Sequence, residues 1–173
     1  LLMVSPGQIN AQMPFEITGA ATLVLHTPGG SSAPYTVTVA GSAPAVFRTA
    51  TAGPETGLPA IYRALNGEPV TPTNPVHPGD YLVIYATGLG KTSPQVETGA
   101  PGTTDPLAYA LEAPRVSLGG TQLPVLYAGL VPGLVGVYQI NVFVPPSVIP
   151  GRAVPLVISR PVEDLVFNVR VVE

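Results

Sequence analysis

Short apolar runs separated by turn residues dominate the chain. Ala21–His26 and Tyr35–Ala40 are rich in strand-forming residues, and Tyr81–Ala86 is continuously apolar. Short runs between Gly and Pro clusters are typical of β-strands, and a continuous apolar run is typical of a strand buried on both faces. Helical spacing is not sustained over three turns anywhere, and only a single helical turn is expected, at Pro106–Glu112. The pattern therefore predicts an all-β fold.

Turn residues indicate two hairpins and the remaining strands. Asn66-Gly67 is typical of a two-residue turn in which both positions have positive φ. Gly119-Gly120 marks a second tight hairpin. The remaining strands are predicted at Ile9–Met13, Ile61–Leu65, Glu68–Thr71, Arg115–Leu118, Gln122–Tyr127, Val137–Val144, Ala153–Ser159 and Leu165–Val172.

The end of the chain repeats the pattern of its beginning. Gln8-Ile9-Asn10 recurs as Gln139-Ile140-Asn141, and Pro14 recurs as Pro145 at the same offset. After one inserted residue the matches are Gly19 with Gly151, Ala21 with Ala153, and Tyr35, Val37 and Val39 with Phe167, Val169 and Val171. The shared order of strand, Pro, Gly turn, strand and alternating strand indicates two copies of one supersecondary unit.

The two copies differ in what precedes them. Both hairpins and the apolar Tyr81–Ala86 run precede the second copy, whereas only seven residues precede Gln8. We therefore predict a complete Ig-like β-sandwich over residues 59–173, of which the repeat forms the back half. Residues 1–41 are predicted to be a partial Ig-like unit that lacks the front-half strands. Residues 42–58, rich in Ala, Thr, Gly and Pro, are predicted to be a linker.

Composition narrows the possible partners and the compartment. Charged residues make up 10% of the chain, far below the quarter or so that is usual in globular proteins. A net charge of −3 and a single lysine, Lys91, argue against a nucleic-acid partner, because phosphate neutralisation needs clustered Lys and Arg. No apolar run is long enough for a membrane span. With no Cys, disulfides and thiol chemistry are excluded, and we expect an extracellular protein whose signal peptide has been removed.

Candidate chemistry is sparse. His77, Asp80 and Ser93 contain the residue types of a Ser-His-Asp triad, but the Gly-x-Ser-x-Gly elbow is missing. His77 is therefore interpreted as an exposed turn residue and His26 as the edge of a core strand. The acidic residues lie in separate loops without metal-ligand spacing. We predict no catalytic residue, no metal site and no cofactor.

Tyrosines are the candidates for carbohydrate contact, because the chain has no Trp. Tyr127 and Tyr138 flank the loop 128–136 and are interpreted as core or strand-pairing residues. Tyr109, in an extended loop, is predicted to be exposed and is the candidate ligand aromatic.

Several motifs resemble known families. Three features occur together: Pro78-Gly79-Asp80, the strand ending in Thr87-Gly88-Leu89-Gly90, and Val144-Pro145-Pro146. Together they resemble an IPT/TIG-type Ig-like domain. The whole chain resembles the Solibacter-type C-terminal domain of secreted bacterial proteins. The stretches that carry this resemblance are 4–12, 85–90, 125–130 and 136–141. It implies an Ig-like fold and secretion, and it implies no activity.

The functional prediction rests on the partial Ig-like unit, residues 1–41. A sheet without its partner strands exposes unpaired backbone, which natural proteins avoid. Strands from a neighbouring copy would pair with this backbone. If each copy donated strands to the next one, head to tail, the product would be a filament. We expect a non-enzymatic subunit of a surface filament, with self as the partner. Two alternatives are a stalk or adhesion module of a larger secreted protein, with polysaccharide as a possible ligand, and one larger domain in which residues 1–41 pack on the second sandwich. The candidate subunit contacts are Leu1, Leu2, Met3, Val4, Ile9, Tyr35, Val37 and Val39.

Overall fold

The computed structural model describes residues 1–49, 57–159 and 164–173, and within these ranges the regular elements are all β-strands. The predicted all-β class is therefore confirmed. In chain order the strands are β1 (Met3–Ser5), β2 (Gln8–Asn10), β3 (Gly19–Leu23), β4 (His26–Thr27), β5 (Gly30–Ser31), β6 (Tyr35–Val39), β7 (Ala45–Val46), β8 (Ile61–Arg63), β9 (Tyr81–Thr87), β10 (Thr92–Ser93), β11 (Tyr109–Ala110), β12 (Val116–Leu118), β13 (Thr121–Leu123), β14 (Val125–Leu130), β15 (Tyr138–Phe143), β16 (Gly151–Ile158) and β17 (Leu165–Val171).

Two antiparallel sheets form a sandwich. The larger has the order β10-β11-β14-β15-β9-β7, and β8 pairs with β9 beyond the end of β7. The smaller has the order β13-β12-β16-β17. Pro124 separates β13 from β14, so the chain changes sheets at a residue that cannot donate a ladder hydrogen bond. The predicted single strand Gln122–Tyr127 is therefore two strands in two sheets.

The inward faces of both sheets share one core. Leu82 and Ile84 of the larger sheet belong to the same buried cluster as Leu118 and Leu156 of the smaller sheet. Burial alternates along β9, so that only one of its two faces is fully buried. The expectation that Tyr81–Ala86 is buried on both faces is wrong for this reason.

The two predicted hairpins have different outcomes. Gly119 and Gly120 form a two-residue turn between β12 and β13, with φ of 58° and 82°, as expected. At Asn66-Gly67 the loop is longer: Gly67 has a φ of 69°, but Asn66 does not have positive φ, and the Gly67 N–H donates to the Arg63 carbonyl at 2.9 Å. No helical turn forms over Pro106–Glu112, where β11 pairs with β14 instead.

Residues 42–49, within the predicted linker, are structured. Ala45 and Val46 pair with Thr87 and Ala86 of β9. The preceding residues cross the glycines of the motif that ends β9. A Cβ on Gly88 would lie 2.2 Å from the Ala43 carbonyl oxygen, and one on Gly90 would lie 2.3 Å from the Gly41 oxygen. Both glycines are therefore required by the close approach of this backbone. Residues 50–56 of the predicted linker lie outside the described residues.

The closing strand β17 has partners on both sides. It pairs with β16 along its length. Near its end, Val76 lies parallel to Val171, and the Val76 N–H donates to the Arg170 carbonyl at 2.9 Å while the Val172 N–H donates to the Val76 carbonyl at 3.0 Å. The last strand is thus tied to the segment that enters β9.

Candidate functional site

The two copies of the repeat have the same local structure. In β2 the Gln8 side-chain amide donates to Asn10 Oδ1 at 2.7 Å. In β15 the Gln139 side-chain amide donates to Asn141 Oδ1 at 2.8 Å. Each strand therefore has the same side-chain hydrogen bond on the face opposite its isoleucine.

The strand pairing is also repeated. Gly19 lies opposite Val39, as Gly151 lies opposite Val171. Farther along, Leu23 lies opposite Tyr35, as Leu156 lies opposite Phe167. An irregularity between Gly151 and Val154 accommodates the extra residue of the second copy. The hairpins β3–β6 and β16–β17 are therefore equivalent, with Leu23 corresponding to Leu156.

A third equivalence extends the repeat toward the beginning of the chain. Ile9 of β2 lies opposite Val4 of β1, and its counterpart Ile140 lies opposite Ala128 of β14. Residues 1–41, which we call the partial unit, thus contain counterparts of β14, β15, β16 and β17. These four strands are the back half of the sandwich, and β8 to β13 are its front half.

Burial separates the two copies. Ile140 and Leu156 are fully buried, whereas their counterparts Ile9 and Leu23 are 39% and 44% exposed. Phe167 is 8% exposed and its counterpart Tyr35 is 69% exposed. The face that forms the core of the complete sandwich is therefore open to solvent in the partial unit.

Two strand edges of the partial unit are open as well. In the complete sandwich β15 pairs with β9, and β16 pairs with β12. In the partial unit, among the strands that the structure describes, β2 pairs with β1 and β3 pairs with β6. Each of these two-stranded sheets lacks the neighbour that the front half supplies to its counterpart.

The partial unit is attached to the sandwich through the segment that joins its two hairpins. The Gly99 N–H donates to Gln12 Oε1 at 2.7 Å, and the Phe15 N–H donates to Thr98 Oγ1 at 3.0 Å. The same threonine hydroxyl donates to Glu16 at 2.9 Å. Phe15 also packs against the main core. These contacts hold the connector and leave the apolar face uncovered.

The predicted subunit contacts lie on this open surface. Val4 and Ile9 are adjacent across the β1–β2 ladder, and Val37 and Val39 are half-buried on β6. The exposed residues of the set are Leu1, Leu2, Met3, Val4, Ile9 and Tyr35. Three further apolar residues were not predicted as contacts: Leu23, Val24 and Leu25, which are 44%, 39% and 44% exposed. Their resemblance to Leu156-Val157-Ile158 is the signal that would have found them.

Asp80 has a structural role. Its carboxylate accepts from Arg63 Nε at 2.8 Å and from Arg63 Nη2 at 2.9 Å, and it also accepts from the His77 backbone N–H at 2.7 Å. The side chains of Arg63 and Asp80 are 11% and 8% exposed. The His77 ring, half-buried rather than exposed, contacts the Glu173 carbonyl oxygen. Asp80 is therefore committed to the arginine and to the turn, and Ser93 belongs to the edge strand β10.

The remaining candidate chemistry is equally sparse. His26 is exposed on the β4–β5 hairpin, with its ring 2.8 Å from the Ser31 hydroxyl, so the expected core-edge position is wrong. Both residues of its strand are exposed. No cluster of three or more metal-ligating side chains occurs in the described ranges.

The tyrosines are arranged largely as the sequence indicates. Tyr109 is 49% exposed, and its ring packs edge-on against Tyr127 with centroids 5.1 Å apart. Tyr127 donates to the Leu130 carbonyl at 2.7 Å. Burial, and the neighbouring Tyr109, raise the pKa of Tyr127. Tyr138 is buried in β15 and donates to the Gly90 carbonyl.

Tyr138 is expected to make the sandwich sensitive to alkali. Burial raises its pKa to about 12, whereas an unfolded tyrosine ionises near pH 10. The contribution of the neutral Tyr138 side chain to the free energy of unfolding is therefore complete below about pH 10. This contribution falls by about 1.4 kcal/mol per pH unit as the pH rises toward 12. In urea titrations from pH 9 to 12, Tyr138→Phe should flatten this decline and Tyr35→Phe should not. An unchanged slope in Tyr138→Phe would contradict the assignment.

Comparisons with known proteins give no relative for this chain. No protein-family model matches it, and searches of curated proteins and of solved structures found no significant match. The described part of the chain contains no helix that is both long and apolar enough to cross a membrane.

Proposed function

We propose that the chain is a non-enzymatic, extracellular structural protein whose copies associate through the partial unit. The observation that supports this is the burial contrast between the two copies: positions that are fully buried in the second, at Ile140 and Leu156, are about two-fifths exposed in the first. An apolar face and two open strand edges together are the features that β-strand addition satisfies.

The open edge strands carry neither charge nor proline. Exposed edge strands are normally defended by Lys, Pro or inward-pointing charge. The strands β1, β2, β3 and β6 contain no charged residue and no proline, and Glu16 is the one Asp, Glu, Lys or Arg within residues 1–41. The edges are therefore suited to pairing.

The energy available is substantial. Each ladder hydrogen bond contributes about 1 kcal/mol net, and apolar burial contributes about 25 cal/mol per Å². A head-to-tail contact would continue into a filament, and a twofold contact would close as a pair. The filament and the closed pair would both use the same surface of the partial unit.

A charge at the edge is expected to weaken association. Ile9→Lys places an ammonium group on the open face of β2, so the apparent dissociation constant measured by sedimentation velocity should rise by at least tenfold, which is about 1.4 kcal/mol. Ile149→Lys is the matched control, because Ile149 is 79% exposed outside the partial unit. Negative-stain microscopy would distinguish fibres from discrete pairs.

Self-association through the partial unit would be contradicted by either of two results. One is an equal loss of association in Ile9→Lys and Ile149→Lys, and the other is a wild-type chain that remains monomeric at its solubility limit. The second outcome would favour a stalk module of a larger secreted protein, in which another part of that protein covers the partial unit.

Contact with an extracellular polysaccharide is a second candidate function. The observation that favours it is Tyr109, which is 49% exposed and supported by the ring of Tyr127. Exposed aromatic rings held by a neighbour present an apolar surface with a polar edge, which suits a sugar face.

A further inference from the structure

The number of half-units in each chain restricts how copies can associate. The described residues contain one front half, the strands β8 to β13, and two back halves, the partial unit and β14 to β17. In any assembly made only of this chain, back halves therefore outnumber front halves two to one. Exchange of front halves between copies would always leave as many back halves open as there are chains. Pairing between two back halves can cover the β2 and β3 edges of every chain.

Both open edges require the same relation to their partner. The front-half strands β9 and β12 run antiparallel to β15 and β16, which are the counterparts of β2 and β3. β9 and β12 contribute to one core, so the two edges they cover face the same side of the unit. Antiparallel neighbours of identical sequence are related by a twofold axis perpendicular to the sheet. Because packed sheets are roughly parallel layers, one axis serves both edges.

The register of β2 suits this symmetry. In the complete sandwich Ile140 lies opposite Ile84, and both are fully buried. If the axis passes beside Ile9, Ile9 lies opposite Ile9 of the second copy and reproduces this isoleucine pair.

The register of β3 suits it equally well. Leu156 lies opposite Leu118, and Ile158 lies opposite Val116. An axis beside Val24 places Leu23 opposite Leu25 of the second copy, and Leu25 opposite Leu23. Both pairings restore aliphatic contacts of the kind that the complete sandwich buries.

Charge does not oppose the symmetry. A twofold axis brings identical strands together, so any charged residue on them would face its own like. The strands β1, β2, β3 and β6 contain no Asp, Glu, Lys or Arg.

We propose that two copies pair through their partial units about a twofold axis beside Ile9 and Val24, forming a second, intermolecular sandwich. Its sheets have the orders β1-β2-β2-β1 and β6-β3-β3-β6. The proposal rests on the self-association proposed above and specifies its symmetry. The association closes as a dimer, and each chain presents its complete sandwich at one end.

Single-cysteine variants test the axis directly, because the chain has no Cys of its own. Residues directly opposite in an antiparallel pair have Cα atoms about 4.5–5.5 Å apart, within the range of a disulfide. Ile9→Cys and Val24→Cys should each form homodimeric disulfides under mild oxidation. Val4→Cys is the matched control: Val4 is 64% exposed and adjacent to Ile9, but it lies three strand intervals, about 14 Å, from its twofold mate.

The expected difference is about a hundredfold in cross-linking rate, measured by non-reducing electrophoresis. Cysteines held opposite each other react at an effective concentration of the order of millimolar, against chains at about 10 μM in solution. Sedimentation velocity on the wild-type chain reports separately whether any association occurs.

The outcomes are distinct. Fast coupling at residues 9 and 24 but not at 4 supports the twofold pairing. A chain that associates without coupling at residues 9 and 24 overturns this symmetry and leaves self-association intact. Coupling between Ile9→Cys and Ile84→Cys chains in a mixture would show front-half exchange and also overturn it. A monomeric chain overturns both proposals.

Discussion

Ile140→Ala is expected to lower the free energy of unfolding by about 2–5 kcal/mol, whereas Ile9→Ala should change it by less than about 0.5 kcal/mol. The two residues occupy equivalent positions in the repeat, but Ile140 is fully buried and Ile9 is 39% exposed. Truncating Ile140 leaves a cavity between packed sheets, and truncating Ile9 leaves none. Urea unfolding followed by circular dichroism, at concentrations where the chain is monomeric, measures both values.

A second equivalent pair provides an independent check. Leu156→Ala should be as destabilising as Ile140→Ala, and Leu23→Ala should be as mild as Ile9→Ala, because Leu156 is fully buried and Leu23 is 44% exposed. If Ile9→Ala or Leu23→Ala costs as much as its partner in a monomeric sample, the partial unit is already covered within its own chain. Its open face would then not be an association surface.

Asp80→Ala is expected to destabilise the sandwich by about 3–5 kcal/mol, since it removes one partner of a buried ion pair and leaves the other uncompensated. The change removes the bidentate contact with Arg63 and the acceptor of the His77 N–H. Thermal and urea unfolding measure the loss. Glu112→Ala is the control, because Glu112 is exposed and should give less than about 0.5 kcal/mol.

A double variant separates the charge effect from the loss of packing. Arg63→Met with Asp80→Ala removes both charges, so it should be more stable than Asp80→Ala alone. If the double variant is less stable than either single variant, the arginine's main contribution is its contact with Asn74, whose Oδ1 lies 3.2 Å from Arg63 Nη1.

The repeat made the equivalent strands of its two copies predictable from sequence. Gln8-Ile9-Asn10 and Gln139-Ile140-Asn141 identified equivalent strands, and the structure shows the same side-chain hydrogen bond in each. Local patterns were also sufficient for the Gly119-Gly120 hairpin, since a two-residue turn depends on its own dihedral angles. The same kind of local pattern was not sufficient at Asn66-Gly67, where Asn66 does not have positive φ.

Features that depend on distant parts of the chain were not predictable in this way. The approach of residues 41 and 43 to Gly90 and Gly88 joins segments more than forty residues apart, so the Gly-x-Gly motif could be interpreted only as a strand exit. The Arg63–Asp80 pair likewise depends on two strands meeting. One-sided burial of β9 depends on what covers its outer face, which the apolar run Tyr81–Ala86 does not specify.

The terminal strands also give the molecule unequal resistance to tension along its backbone. β17 pairs with β16 over most of its length and is tied to Val76 near its end, so a pull on Glu173 has to break hydrogen bonds on both sides of the strand. In the hairpin β1–β2, Met3 lies opposite Asn10, so a pull between Leu1 and the rest of the chain separates the ladder one pair at a time. We expect the partial unit to open under a smaller load than the complete sandwich, and a partner held on its surface would then be released first.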